Sequence, residues 1–163
     1  MERKRAFDPV ADADTRLLIL GSLPGDASLR AGQYYGHPQN AFWRLIGGVI
    51  GRDLAALPYE ARLSALREAG VGLWDVIASA ERPGSLDAAI RRPEAADLRG
   101  LVRTLPRLRA VAFNGGSAAK LGRAVLAEAT DTVLIDLPSS SPAHARAFGE
   151  KAAAWAVLGR WVR

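Results

Sequence analysis

Cysteine is absent from this chain of 163 residues, and with it go a disulfide framework, a thiolate zinc site and a cysteine nucleophile. That suits a reducing compartment, so the cytoplasm is the expected location. Histidine is scarce: His37 and His144 are the only two, and neither stands beside a carboxylate motif that would make a metal site. Lysine occurs three times, as Lys4, Lys120 and Lys151. No apolar run approaches the roughly 20 residues of a membrane span, and "MERKRAFDPVADADT" has no apolar core behind its basic start. No internal repeat, low-complexity tail or linker interrupts the chain.

What is present is the mix of an ordinary globular protein, 49% hydrophobic and 24% charged, enough for one domain over residues 1–163. The net charge is +5, but the basic residues are overwhelmingly arginine in an alanine-rich chain, a pattern that codon bias alone can write. Distribution says more than the total. Residues 1–80 carry nine basic and nine acidic side chains, whereas eight basic residues face two acidic ones between Arg91 and Arg123. A one-sided basic stretch suits a polyanion, and it equally suits a solvated helix surface.

Four runs rich in branched residues are expected as strands: "RLLILG" (16–21), "VGLWDVI" (71–77), "RAVAFNG" (109–115) and "TVLIDLP" (132–138). Helical patterns fill the gaps: "NAFWRLIGGVI", "PYEARLSALREAG", "AADLRGLVRTL", "GSAAKLGRAVLAEA" and the long "PAHARAFGEKAAAWAVLGRWV". Regular alternation of this kind implies an α/β fold, a three-layer α/β/α sandwich around a four-stranded, mostly parallel sheet. Ligands of such sheets sit outside the carboxyl ends of the strands. Here those ends are a loop of about twenty residues after the first strand, "FNGG" after the third and "LPSSSPAHA" after the fourth.

Each motif has a plain reading beside a functional one. Three serines between prolines can cap a helix directly after them, with Ser141 as cap, or can meet phosphate oxygens there. "FNGGSAAKLG" lacks the phosphate-loop pattern, which leaves Asn114 as either a turn residue or a planar donor–acceptor pair for a base or amide edge. A serine hydrolase has no Gly-x-Ser-x-Gly elbow to stand on. In "FWRLI", Phe42, Leu45 and Ile46 share one helix face, and core packing accounts for them, as it does for Trp43 and Trp74.

The order of these motifs is more telling than any one of them. "GSLPG…SL..GQYYGHPQNAFW", "GLWDVIASAERPGSLDAAI", "FNG" and "LPSSSPA", in that sequence, resemble the uracil-DNA glycosylase superfamily, and more narrowly its hypoxanthine-DNA glycosylase branch. The resemblance runs from about Phe7 into the last helix. It implies that Asn40 is catalytic, positioning or polarising the water that attacks the sugar C1′. Phe42 would stack on the flipped base, Asn114 would read its edge, and Gly21, Ser22, Pro24 and Gly25, with Tyr35, would wall the base pocket. Pro138, Ser139, Ser140 and Ser141 would grip phosphates, with His144 near the gap left in the stack. The aspartate and histidine of the uracil-specific first family are missing, Leu137 standing where that histidine would be, which argues against high activity on uracil. The implied partner is DNA carrying a damaged or mismatched base, bound by a monomer without cofactor or metal. A uracil or mismatch glycosylase, or a DNA-binding module with an idle pocket, stands as the alternative. Neutral asparagines as the working groups imply a flat rate profile near neutral pH, and the absence of a lysine from the motifs implies no strand-cutting lyase step.

Overall fold

The computed structural model describes residues 2–128 and 131–163. In chain order the elements are β1 (Arg3–Arg5), β2 (Leu17–Gly21), α1 (Asp26–Ala31), α2 (Phe42–Ile50), α3 (Tyr59–Glu68), β3 (Val71–Asp75), β4 (Ile77–Glu81), β5 (Arg91–Ala95), α4 (Leu98–Arg103), β6 (Ala110–Asn114), α5 (Gly116–Leu126), β7 (Val133–Leu137) and α6 (Phe148–Trp155). Four of the strands form a wholly parallel sheet in the order β3-β2-β6-β7. This is the expected α/β/α sandwich.

Leu17 to Leu20 are fully buried because successive side chains of β2 leave opposite faces of the sheet and both faces are covered. Leu17 and Ile19 pack with Phe42, Ile46, Leu66 and Trp155 from α2, α3 and α6. Leu18 and Leu20 pack with Ile77, Leu98, Ala118 and Leu126 from β4, α4 and α5. Each such leucine contributes about 1.5–3 kcal/mol by leaving water.

Three features depart from the sequence expectation. The run "VGLWDVI" is two strands: β3 ends at Asp75, and β4 turns away to pair antiparallel with β1 and β5 in a second, three-stranded sheet. The long loop contains the six-residue α1, closed by Gly32 at a φ of 65°, too short to leave a helical period in the sequence. The last helix starts at Phe148 and not at Pro142, so the serines do not cap it. Segment 142–147 is alanine-rich, which favours a helix locally, but all its side chains are exposed and give a helix nothing to bury. The expected helix 116–129 is α5, and its final residue, Ala129, lies outside the described residues.

Because β2 sits between β3 and β6, the chain leaves β2 toward one neighbour and later returns to the other side. The carboxyl ends of β2 and β6 therefore flank the switch in winding direction, where such sheets open a crevice.

Candidate active site

A cavity of about 250 Å³ opens at that edge. Every carboxyl end of the parallel sheet reaches it: Gly21 to Gly25 after β2, Asp75 at the end of β3, Asn114 at the end of β6, and Ser139 to Pro142 after β7. Tyr35 and Asn40, from the loop between α1 and α2, and Ser85 to Asp87, beyond β4, complete the wall.

One wall is a closed polar lattice. The Asn114 amide donates to Ser140 Oγ at 2.9 Å, and Asn114 Oδ1 accepts the Ser140 N–H at 2.9 Å. The Ser140 carbonyl in turn accepts the Ala41 N–H at 3.0 Å, tying the serine loop to the start of α2. Gly115, at a φ of 100°, makes this junction possible, since a Cβ there would stand 3.1 Å from Ser139 Cβ. Ser139 Oγ accepts the Ser141 N–H and Ser141 Oγ the Ala143 N–H, which leaves their own O–H groups to donate outward. Behind the loop, the buried Lys151 ammonium donates to the Ser141 carbonyl at 3.1 Å, and desolvation holds its pKa below the usual lysine value.

Asn40 stands beside this lattice with its carboxamide split between two tasks. Its Oδ1 accepts the Phe42 N–H at 2.9 Å, taking up the first unpaired donor of α2. Its N–H donors have no partner among the described residues, and the side chain lines the cavity. His37 is bound locally, its Nδ1 accepting the Gln39 N–H at 3.0 Å.

The opposite wall is different. Tyr35 is held at a φ of 53°, a left-handed conformation rare for a bulky residue, and its ring lies flat on Phe42 with centroids 3.9 Å apart and planes 12° apart. Oδ2 of the buried Asp75 has no hydrogen-bond partner, and the Tyr35 hydroxyl has only the Asn114 side chain close enough to interact. Gly21 pairs with Asp75 across β2 and β3, and a Cβ on it would lie 2.7 Å from Asp75 Oδ1 and 3.0 Å from the Tyr35 hydroxyl. Only glycine leaves room for both groups. Burial, with Asp87 as the second cause, pushes the Asp75 carboxyl up to about 7. Desolvation and the adjacent Asp75 raise the Tyr35 hydroxyl as well.

The rim beyond β4 is rigid. Arg82, 1% exposed, donates to the carbonyls of Leu23, Pro24 and Gly84, while Ser22 Oγ donates to Asp87 Oδ1 at 2.7 Å and Ser85 Oγ accepts the Asp26 N–H. Lys4 bridges the Gly84 carbonyl and Asp26, whose pKa it lowers through that hydrogen bond. Of the three carboxyls at the cavity, Asp26 and Asp87 are thus partnered and Asp75 is not.

This arrangement has known counterparts. The profile of the uracil DNA glycosylase superfamily matches residues 8–161. The chain belongs to that superfamily. It is 42% identical over 154 residues to a protein of Methanosarcina barkeri named hypoxanthine DNA glycosylase, covering 94% of this chain and 96% of the relative. A protein of the same name from Methanosarcina acetivorans is 41% identical over 157 residues, covering 96% and 98%. The solution NMR structure of a Methanosarcina acetivorans protein, provisionally described as a uracil DNA glycosylase, superimposes with a TM-score of 0.87 at 40% identity, with 98% of each chain covered.

Within this member of the superfamily the expected site residues divide. Gly21, Ser22, Pro24, Gly25, Tyr35, Asn40, Asn114 and Ser139 to Ser141 come together around the cavity. Phe42 does not reach it. Fully buried, it forms the backing on which the Tyr35 ring rests, and the phenol rings that line the cavity are those of Tyr34 and Tyr35. Asn114 is chiefly a brace for Ser140, and Ser140, 1% exposed with its N–H, hydroxyl and carbonyl all engaged, has little left for a phosphate. Pro138 lies behind the wall, its carbonyl accepting Trp155 Nε1–H. His144 lies in an adjoining groove with Arg44, Arg146 and Lys151. None of the eight basic residues between Arg91 and Arg123 lines the cavity or that groove. Sequence reading missed Asp75 and Arg82, and only the strand break after Asp75 could have signalled the first.

Proposed function

We propose that this chain is a monofunctional DNA glycosylase that extrudes a deaminated base, hypoxanthine first among them, and releases it by hydrolysis. The observation that carries the reading is Asn40, whose amide oxygen is held by Phe42 N–H and which lines a base-sized cavity with its N–H donors uncommitted. At about 250 Å³ the cavity falls just below the roughly 300–1,000 Å³ of drug-sized sites, which suits a single base better than a whole nucleotide. Hypoxanthine as the substrate draws on the names of the relatives at 41–42% identity.

Reaching C1′ requires taking the nucleotide out of the stack, which costs a few kcal/mol and least for a mispaired base. The extruded base lies against the outer face of Tyr35, whose rigid backing by Phe42 fixes its plane. Ser139 and Ser141 donate to the flanking phosphates, and Arg44 and Arg146 in the adjoining groove add positive charge along the backbone. As the N-glycosidic bond lengthens, the sugar gains oxocarbenium character and the base gains negative charge. Asn40 N–H holds the attacking water by its oxygen, so that a lone pair faces C1′. No lysine lines the cavity: Lys4 and Lys151 are tied elsewhere, and among the described residues a Schiff-base step has no side-chain amine to use.

The test is a panel of duplexes carrying one hypoxanthine, uracil, xanthine or ethenoadenine, treated with protein and then with alkali. Strand cleavage at hypoxanthine only after alkali, undiminished by EDTA, is the expected result. Cleavage without alkali overturns the monofunctional assignment. Binding with no base release from any duplex overturns the enzyme in favour of an idle-pocket DNA-binding module.

A further inference from the structure

We propose that Asp75 meets the extruded base as an uncharged carboxylic acid, its O–H and C=O pairing with the C=O and N–H of a lactam edge while the Tyr35 hydroxyl supplies a third polar contact. The inference rests on the glycosylase reading and deepens it, because it names the chemical class of base the pocket accepts: lactams such as hypoxanthine, xanthine and uracil.

The ground is an imbalance in the cavity wall. Buried polar atoms are almost always paired, and here Asp75 Oδ2 is unpaired, while its carboxyl converges over the Cα of Gly21 with the Tyr35 hydroxyl, whose polar neighbour on the protein side is the Asn114 side chain. The protein gives up any side chain at position 21 to make room for them. Asp75 is 4% exposed, with no arginine, lysine or histidine in contact through any hydrogen bond or ion pair among the described residues. An ionised carboxylate in that position is costly, and the neutral acid is the cheaper form. The groups around it reinforce this. Tyr34 and Tyr35 interact with it from the loop between α1 and α2 and Asp87 from beyond β4, while His37 and Asn114 line the same cavity; Asp26 at the cavity edge is already neutralised by Lys4 and Arg82. Asp87 pushes in the same direction as burial, and the carboxyl reaches about 7.

The two protonation states differ in what they can bind. A neutral carboxylic acid offers one donor and one acceptor in a plane, the complement of the N1–H and C6=O of hypoxanthine. A carboxylate offers acceptors alone, loses the bond to C6=O and sets oxygen against oxygen. Ionisation of Asp75 therefore weakens the grip on the base, most of all as negative charge grows on it. This replaces the flat rate profile expected from asparagines alone with a falling alkaline limb.

Single-turnover base release from a deoxyinosine duplex, measured from pH 5.5 to 9 for the wild type, Asp75→Asn and Asp75→Ala, tests the proposal. A parallel titration uses a duplex whose 2′-fluoro deoxyinosine cannot be cleaved. The wild-type rate and affinity are expected to fall above about pH 7, the rate approaching tenfold per pH unit as the acid form disappears. Asp75→Asn keeps a donor and an acceptor at every pH, so it should stay within about tenfold of the wild-type acidic plateau and lose the alkaline limb. Asp75→Ala should lie about 10–100-fold below the wild-type acidic plateau at every pH, with no limb. A wild-type rate that rises with pH together with an inactive Asp75→Asn would make Asp75 a general base and overturn the proposal. A flat wild-type profile with equal losses in both variants would make it merely structural. Release of hypoxanthine by the wild type in either of those cases leaves the glycosylase reading standing; an inactive wild type across the lesion panel removes both.

Discussion

The two walls of the cavity are built on opposite principles. On the side of β6 and β7, Asn114, Ser140 and Ala41 bond to one another, and the wall is a brace. On the side of β2 and β3, Asp75 and Tyr35 keep hydrogen-bonding capacity in reserve, at the expense of a left-handed tyrosine and a buried carboxyl. The difference teaches where to look for recognition: a satisfied network sets shape, and an unsatisfied one awaits a ligand. Asn40 stands between them, its oxygen bound to the Phe42 N–H at the start of α2 and its amide N–H groups uncommitted.

The sharpest way to break that comparison is at Asn40. Asn40→Ala should lower single-turnover base release by about 10²–10³-fold while leaving most DNA affinity intact. Asn40→Asp keeps the acceptor for Phe42 N–H but has no amide to donate, so an equally slow Asn40→Asp of native stability would show that the N–H donors carry the effect. Next in size is the brace. Asn114→Ala strands the N–H and hydroxyl of Ser140 in a buried site and should cost about 1–3 kcal/mol in denaturant unfolding. Base release and DNA affinity should then fall together, because the serine loop loses its anchor; a selective loss of release with firm DNA binding would return Asn114 to the role of base reader.

The smallest effect is on stability. Asp75 has a folded-state pKa raised from 3.8 to about 7, so the folded protein holds this proton more tightly than the unfolded chain does. The resulting stabilisation is fully present below about pH 4 and is lost as pH rises through about 7, beyond which it changes no further. Thermal unfolding of the wild type should therefore decline relative to Asp75→Asn between those limits. Parallel curves for the two proteins would place the unpaired carboxyl in water.

Most of the architecture was legible in the sequence because it is local. Unbroken aliphatic runs such as Leu17 to Leu20 declare strands covered on both faces, and Pro58 and Gly70 bracket α3. The pocket was legible only as motifs. Asp75 sat inside what read as one apolar strand, and its meaning depends on pairing with Gly21, 54 positions away, which no local pattern encodes. Phe42 lay on a helix face suited to the core and also in a motif suited to the base. The packing of Tyr35 against it decided in favour of the core. Segment 142–147 had the composition of a helix without a surface to rest on. The basic stretch from Arg91 to Arg123 misled by being contiguous in sequence; in space it is spread over β5, α4, α5 and the far end of β6, where Arg107 pairs with Asp14 and Arg123 with Asp136.

The pairing of Gly21 with Asp75 also constrains how such a pocket can change over generations. Any side chain gained at 21 evicts the carboxyl at 75 and crowds the Tyr35 hydroxyl, so a change at 21 demands room from both. Position 75 can drift alone, but position 21 can follow only after 75 and 35 have yielded, so a lineage that alters the base it removes is expected to change 75 first and keep glycine at 21.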